Sequence, residues 1–215
     1  MMQNRPDLMT DVDQRRRQLM LGAAAAGLLP WATPAHAEVE LEGVTVADTA
    51  TGVNGQKLVL NGAAVRRRGY FKADVTALYL PEKRSTAEAV FKLDGYRRIQ
   101  LNILRAFTSS TISRIFIADF KQAATDDEFK QLITEVGQIG ATYANVKRVV
   151  KGDVVNLDWV PGAGWMAFLN DRQLVGDPTL PKGAINNQLA YQIYLRMYIG
   201  QMAPDDLRNG LLGLK

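Results

Sequence analysis

The spacing at which apolar residues recur changes along this chain, and that change excludes most architectures before any motif is considered. Residues 69–80 alternate, with Phe71, Ala73, Val75, Ala77 and Tyr79 on one face and Tyr70, Lys72, Asp74, Thr76 and Leu78 on the other, until Pro81 stops the pattern. Residues 98–104 repeat it, bringing Ile99, Leu101 and Ile103 together. Shorter strands are expected at residues 39–46 and 57–60, separated by a Gly/Asn/Thr-rich connection at residues 49–55. The middle of the chain then turns helical. Ile112, Ile115, Phe116, Phe120 and Ala123 mark a helix over residues 111–124. Thr125-Asp126-Asp127-Glu128 has the form of a capping box that starts a second helix, with Phe129, Leu132, Ile133, Val136, Ile139 and Tyr143 as its buried stripe. Strand character returns at residues 154–160, 165–169 and up to Val175, joined by turns at Pro161-Gly162-Ala163-Gly164 and Asn170-Asp171. A last long helix is expected over residues 184–199, closed by Gly200, and Pro204 opens a final helical turn into residues 207–214. Four strands, two helices, three strands and a helix do not alternate as in a doubly wound fold. The order predicts an α+β domain with helices on one face of a mainly antiparallel sheet.

The chemistry open to such a domain is narrow, because the sequence holds no cysteine and one histidine, His36. His36 lies in a segment with the three zones of an export signal: Arg15-Arg16-Arg17, an uncharged apolar stretch at residues 19–29, and Ala35-His36-Ala37 as a small-x-small cleavage site. The apolar stretch is too short for the roughly 20 residues of a membrane-spanning helix. Arg16-Arg17-Gln18-Leu19-Met20 has the twin-arginine form, and the alanines at residues 23–26 dilute the apolar stretch as that route favours. The expectation is a signal peptide at residues 1–37, cleaved after Ala37, a single domain at residues 38–215, a periplasmic location and no stable membrane span after cleavage. Without histidine or cysteine, the mature chain cannot form a Ser-His-Asp triad, a Cys-His nucleophile or a Cys/His zinc site. Its stability comes from packing and not from disulfides.

Removing residues 1–37 lowers the formal net charge only from +4 to +3, a mild balance spread along the chain. Arg66-Arg67-Arg68 is the one basic run. On a strand its members point to alternate faces, so it is no three-arginine patch, and a solvated edge is expected for at least two of them. No nucleic-acid partner is expected. GxGxxG, P-loop, HExxH and EF-hand patterns are absent, and the Gly162-Ala163-Gly164 turn fits a hairpin better than a phosphate loop because no helix follows it. No metal and no cofactor is expected.

Several phrases, in order, resemble the chalcone isomerase fold family: Leu60-Asn-Gly-Ala-Ala-Val-Arg66, Ala77-Leu-Tyr-Leu-Pro81, Lys151-Gly-Asp153 with Pro161-Gly162-Ala-Gly164, and Ile185-Asn-Asn-Gln-Leu189 leading to Ile199-Gly200. The similarity runs over most of residues 39–214 and looks like a bacterial, exported branch. It implies an open-faced sandwich, a curved antiparallel sheet with a layer of helices and a cleft between them. The family's plant enzymes close a chalcone into a flavanone, a reaction that needs a guanidinium for the phenolate and hydroxyl donors for the developing enolate, and no protein nucleophile. Carried over by position, the enzymes' arginine falls on Arg66, their threonine on Asp74, their tyrosine on Thr111, their lysine on Arg114, their asparagines on Ala118 and Asn187, and a hydroxyl residue on Tyr191. Only Arg66 and Asn187 are intact.

The ligand-binding set implied by the resemblance is therefore Arg66, Asp74, Thr111, Arg114, Asn187 and Tyr191. If the chain is an enzyme, an intramolecular lyase, the resemblance puts the work on Arg66, Thr111, Asn187 and Tyr191. Asp74 beside Arg66 implies an ion pair that leaves the guanidinium less to offer an incoming anion. Plainer roles stand beside these: Asn187 as a local hydrogen-bonding residue, Trp159 and Trp165 as sheet packing, and Tyr191, Tyr194 and Tyr198 as a helix–sheet lining. The expected function is binding of a small hydrophobic or amphipathic molecule, a fatty acid or a phenolic, with an isomerase or a closed-cleft interaction protein as alternatives and any protein partner left open.

Overall fold

The computed structural model describes residues 38–176 and 179–214. The expected signal peptide, its twin arginines and its cleavage site fall on residues 1–37, outside the described residues.

The described residues open with a hairpin of β1 (Val39–Leu41) and β2 (Val44–Val46) where one strand over residues 39–46 was expected. Glu42 and Gly43 both take positive φ, 54° and 73°, the turn that matches the twist of a two-residue hairpin. A seven-stranded antiparallel sheet follows, in the order β11-β10-β9-β6-β5-β4-β3. It is a curled half-barrel of β3 (Thr49–Thr51), β4 (Lys57–Arg68), β5 (Phe71–Leu80), β6 (Arg97–Ile103), β9 (Val154–Val160), β10 (Gly164–Leu169) and β11 (Arg172–Leu174). A short pair, β7 (Phe107–Thr108) with β8 (Arg148–Val149), lies apart from it. β4 is three times the length expected from residues 57–60, because the small residues Gly62, Ala63 and Ala64 interrupt its alternation without interrupting its pairing.

Register shifts in the β4–β5 pair, between Leu60 and Gly62 and between Arg66 and Arg67, increase twist and bend the sheet. The first turns Asn61 out of the ladder. Its side-chain amide donates to the Leu211 carbonyl at 2.7 Å and its oxygen accepts from the Arg84 amide at 2.6 Å.

Helices cover one face: α1 (Ala87–Phe91), α2 (Ser109–Ala123), α3 (Asp126–Gln131), α4 (Ile133–Ala144), α5 (Gln188–Ile199) and α6 (Asp205–Leu211). The capping box forms at Thr125 and Glu128 as the sequence predicts. The helix it starts is broken at Leu132, whose ψ of 16° leaves the helical region. The break turns Leu132 wholly into the core and swings Ile133 out to 62% exposure, so Ile133 does not belong to the buried stripe. α5 begins at Gln188 and not at residue 184, because Ile185 is tied to Trp165 by backbone hydrogen bonds of 2.9 Å in both directions. α6 lies close on β4: a Cβ on Gly62 would strike the Gly210 carbonyl, and one on Gly210 would lie 2.7 Å from the Ala64 Cβ.

The main core lies between helices and sheet, from Leu78, Ile99, Leu101 and Leu157 on the strands to Phe120, Leu132, Tyr194 and Leu195 on the helices. A second cluster, with Leu58, Val75, Ala77, Tyr79 and Phe168, occupies the other face of the sheet. That face also buries the Arg98–Asp158 ion pair at 2.7 Å, which Tyr96 joins through a hydrogen bond to Asp158. Among the described residues no helix is long and apolar enough to cross a membrane.

Candidate functional site

A cavity of about 90 Å3 lies between α2, α4, α5 and the sheet, walled by Leu101, Ile103, Phe107, Ile112, Phe116, Val155, Leu157 and Met197. It is placed by the alternation of β4, β5 and β6, which sends Arg66, Arg68, Asp74, Leu101 and Ile103 to the helix face. Arg66, Arg68, Asp119 and Met197 also line a second, more polar cleft of about 220 Å3, together with Arg67 and Arg196.

The cavity's polar end is a chain of hydrogen bonds. Arg66 sits opposite Asp74 in the β4–β5 ladder and donates to its Oδ2 through Nε at 2.9 Å and Nη2 at 2.6 Å. Asp74 is 1% exposed, and its Oδ1 accepts from the Thr76 hydroxyl at 2.6 Å. The remaining Arg66 nitrogen, Nη1, donates to the Tyr198 hydroxyl at 3.3 Å, which in turn shares a hydrogen bond of 2.9 Å with the Tyr194 hydroxyl. Burial opposes the charge on Arg66, but Asp74 more than offsets it and holds the guanidinium above its ordinary pKa. Beside this chain, Arg68 forms a two-pronged ion pair with Asp119 of α2. The solvated edge expected for the arginine run therefore holds for Arg67 alone, since alternation puts Arg66 and Arg68 on the helix face, where each meets a carboxylate.

Tyrosine hydroxyls complete the lining. Burial pushes the pKa of Tyr143, Tyr194 and Tyr198 above the usual tyrosine range, so all three are neutral phenols. A run of rings joins them to the rest of the core: Phe116 meets Tyr143 edge-on at 5.4 Å, and Trp165 meets Tyr194 at 4.8 Å.

The chalcone isomerase-like family profile matches residues 38–213. The chain belongs to the chalcone isomerase-like family. Among solved structures it is similar to the crystal structure of a fatty-acid binding protein of Arabidopsis thaliana, AtFAP1, at 12% identity and a TM-score of 0.65. The match covers 81% of this chain and 95% of that one, and at such identity it shows a shared fold. No curated protein sequence matches the chain.

Of the residues that the family resemblance put at the site, this chalcone isomerase-like domain brings Arg66 and Asp74 to the cavity, paired as expected. The other four do not line it. Thr111 is in the first turn of α2, where its amide donates to the Thr108 hydroxyl that caps the helix and its own hydroxyl lies 3.0 Å from that oxygen. Arg114 faces solvent one turn further on. Asn187 caps α5, accepting from the Ala190 amide at 3.2 Å, and its amide donates to Glu135 of α4 at 2.7 Å. Tyr191 is wholly buried, and its hydroxyl donates to the carbonyls of Arg97 and Leu157 at 2.8 and 3.1 Å. Asn187 and Tyr191 thus take the plainer structural roles. Trp159 and Trp165 face each other across the β9–β10 hairpin as packing.

Arg68, Asp119, Tyr143 and Met197 line the cavity without having been singled out for it. Helical spacing put Tyr143 in the buried stripe but could not say that its stripe ended on a void. Arg97 was not foreseen either: its guanidinium lies over Trp159 at 5.6 Å and Tyr191 at 5.5 Å, with Nε and Nη1 making no hydrogen bond. Burial holds its pKa below the ordinary arginine value.

Proposed function

We propose that this domain is a binding protein, holding a small hydrophobic or amphipathic molecule, a fatty acid or a phenolic, between its sheet and helices and carrying out no reaction on it. The observation that carries this reading is the cavity itself: a void with apolar walls that ends on a closed set of hydrogen bonds between Arg66, Asp74 and Tyr198. The fold shared with a fatty-acid binding protein supports it. An isomerase needs a guanidinium free to take a phenolate and a hydroxyl donor over the reacting atoms. Here Arg66 is engaged by Asp74, and Thr111, at the family's tyrosine position, bonds within its own helix cap.

At about 90 Å3 the cavity is smaller than the roughly 300–1,000 Å3 of drug-sized ligand sites, so the occupant displaces side chains as it enters. Met197, unbranched and half-buried between cavity and cleft, is the side chain best able to yield. The protein is read as a member of an exported bacterial branch, sent to the periplasm by residues 1–37 and cleaved after Ala37. The test is mass spectrometry of protein purified from its own cell envelope, intact and after solvent extraction. A stoichiometric hydrophobic molecule establishes binding, and the intact mass establishes the cleavage point. An empty protein that takes up no hydrophobic dye refutes the binding reading and leaves a closed-cleft interaction protein.

A further inference from the structure

The charges around the cavity cancel. Its four charged lining residues are Arg66, Asp74, Arg68 and Asp119, joined as two ion pairs. An anion brought to Arg66 would stand beside a guanidinium that a carboxylate with 1% exposure already holds at 2.6 Å. The site would then carry two negative charges against one positive, and nothing would repay the water stripped from the newcomer. Arg67 is the nearby arginine without a carboxylate partner among the described residues. It is exposed in the outer cleft, where an anion keeps its own hydration.

The hydrogen-bonding groups point the same way. Arg66, Asp74, Thr76, Tyr194 and Tyr198 are hydrogen-bonded to one another, and Arg68 binds Asp119 through both Nη atoms, its buried Nε making no hydrogen bond. Tyr143 does not join them. It lines the cavity at 9% exposure, and no hydrogen bond to its hydroxyl is made by any described residue. A buried phenol facing a void is a donor waiting for an acceptor.

We propose that the cavity selects a neutral amphiphile, one whose carbonyl, ester or hydroxyl oxygen accepts a hydrogen bond from Tyr143, and that it discriminates against carboxylates. This rests on the binding function proposed above and narrows it, taking neutral amphiphiles over the ionised fatty acid.

The test compares three ligands of one chain length, 1-dodecanol, methyl dodecanoate and dodecanoic acid, by calorimetry at pH 8 with wild type, Tyr143→Phe and Asp74→Asn. The alcohol and the ester are expected to bind wild type at least tenfold more tightly than the acid. Tyr143→Phe should weaken them about five- to tenfold, the worth of one hydrogen bond. Asp74→Asn, which leaves the Arg66 charge unmatched, should narrow the gap by strengthening the acid. Acid binding equal to or tighter than that of the neutral pair overturns the selectivity while leaving the binding function standing. An unaltered affinity of the neutral pair for Tyr143→Phe overturns the role of Tyr143. Failure of all three ligands to bind folded wild type overturns this proposal, and the binding function falls with it only if the protein is also empty and takes up no hydrophobic dye.

Discussion

Asp74→Asn isolates the charge of the buried pair, because every hydrogen bond around it can be kept. The asparagine oxygen can occupy the Oδ2 position and accept from Arg66 Nε and Nη2, while its amide donates to the Thr76 hydroxyl, which can rotate to receive it. What disappears is the attraction between two unit charges about 4 Å apart, worth about 4 kcal/mol at an effective dielectric of 20. Removing one partner of a buried pair costs about 3–5 kcal/mol. The lower end applies here, since Arg66 keeps 16% exposure and the Tyr198 ring 5.2 Å away. The expected loss is about 3 kcal/mol. With a urea slope of about 2 kcal/mol/M, the unfolding midpoint should fall by about 1.5 M. The double variant Arg66→Met/Asp74→Leu removes both charges together and should lie within about 1 kcal/mol of wild type. A loss below about 1 kcal/mol for Asp74→Asn, or a double variant no better than the single one, would refute the argument that these charges hold each other in place.

Gly62→Ala drives a methyl group into the Gly210 carbonyl of α6, and with backbone on both sides neither can yield. The cost should be about 3 kcal/mol, a fall in Tm of about 10 °C by calorimetry, whereas Gly43→Ala, which meets nothing within 4 Å, should show only the smaller strain of its positive φ. Glu128 is partly buried, which opposes its ionisation, but the Thr125 amide at 2.8 Å and Arg196 at 2.9 Å outweigh burial and hold its carboxyl below the ordinary value. A depressed folded pKa adds stability that is present above the unfolded value of about 4.3 and lost as pH falls through the folded one. Wild type should therefore exceed Glu128→Gln by about 0.5–1 kcal/mol in urea melts at pH 7, and the gap should close as pH is lowered toward 3. A gap that persists unchanged at pH 3 would remove the charge from the explanation.

Periodicity made the strands and helices legible because burial on one face writes itself into the sequence every two or every three to four residues. Thr125 and Glu128 announced their cap for the same reason: the motif is local, and so is its geometry. The register shift beside Arg66 is not local. It depends on how β4 and β5 pair, with Arg66 opposite Asp74 and Arg67 opposite Lys72, so that Ala73 is skipped. Of the positions carried over from the family, Arg66 and Asp74, which the ladder fixes opposite each other, line the cavity, and Thr111, Arg114, Asn187 and Tyr191 lie off it. At those places helix caps and the packing of α5 on the sheet set side-chain direction. Tyr143 shows the limit most simply. A stripe of spacing says that a residue is buried, and only packing says whether it is buried against atoms or against a void.

The contact between Asn61 and the Leu211 carbonyl spans 150 positions. During synthesis, β4 leaves the ribosome long before α6 exists to clamp it, so the strand that bears Arg66 and Arg68 waits for a partner encoded far downstream. Such distant contacts form slowly, because a large loop must close before they yield any stabilisation. The clamp on β4 is thus a late product of folding: no nascent chain that stops short of Leu211 can close it.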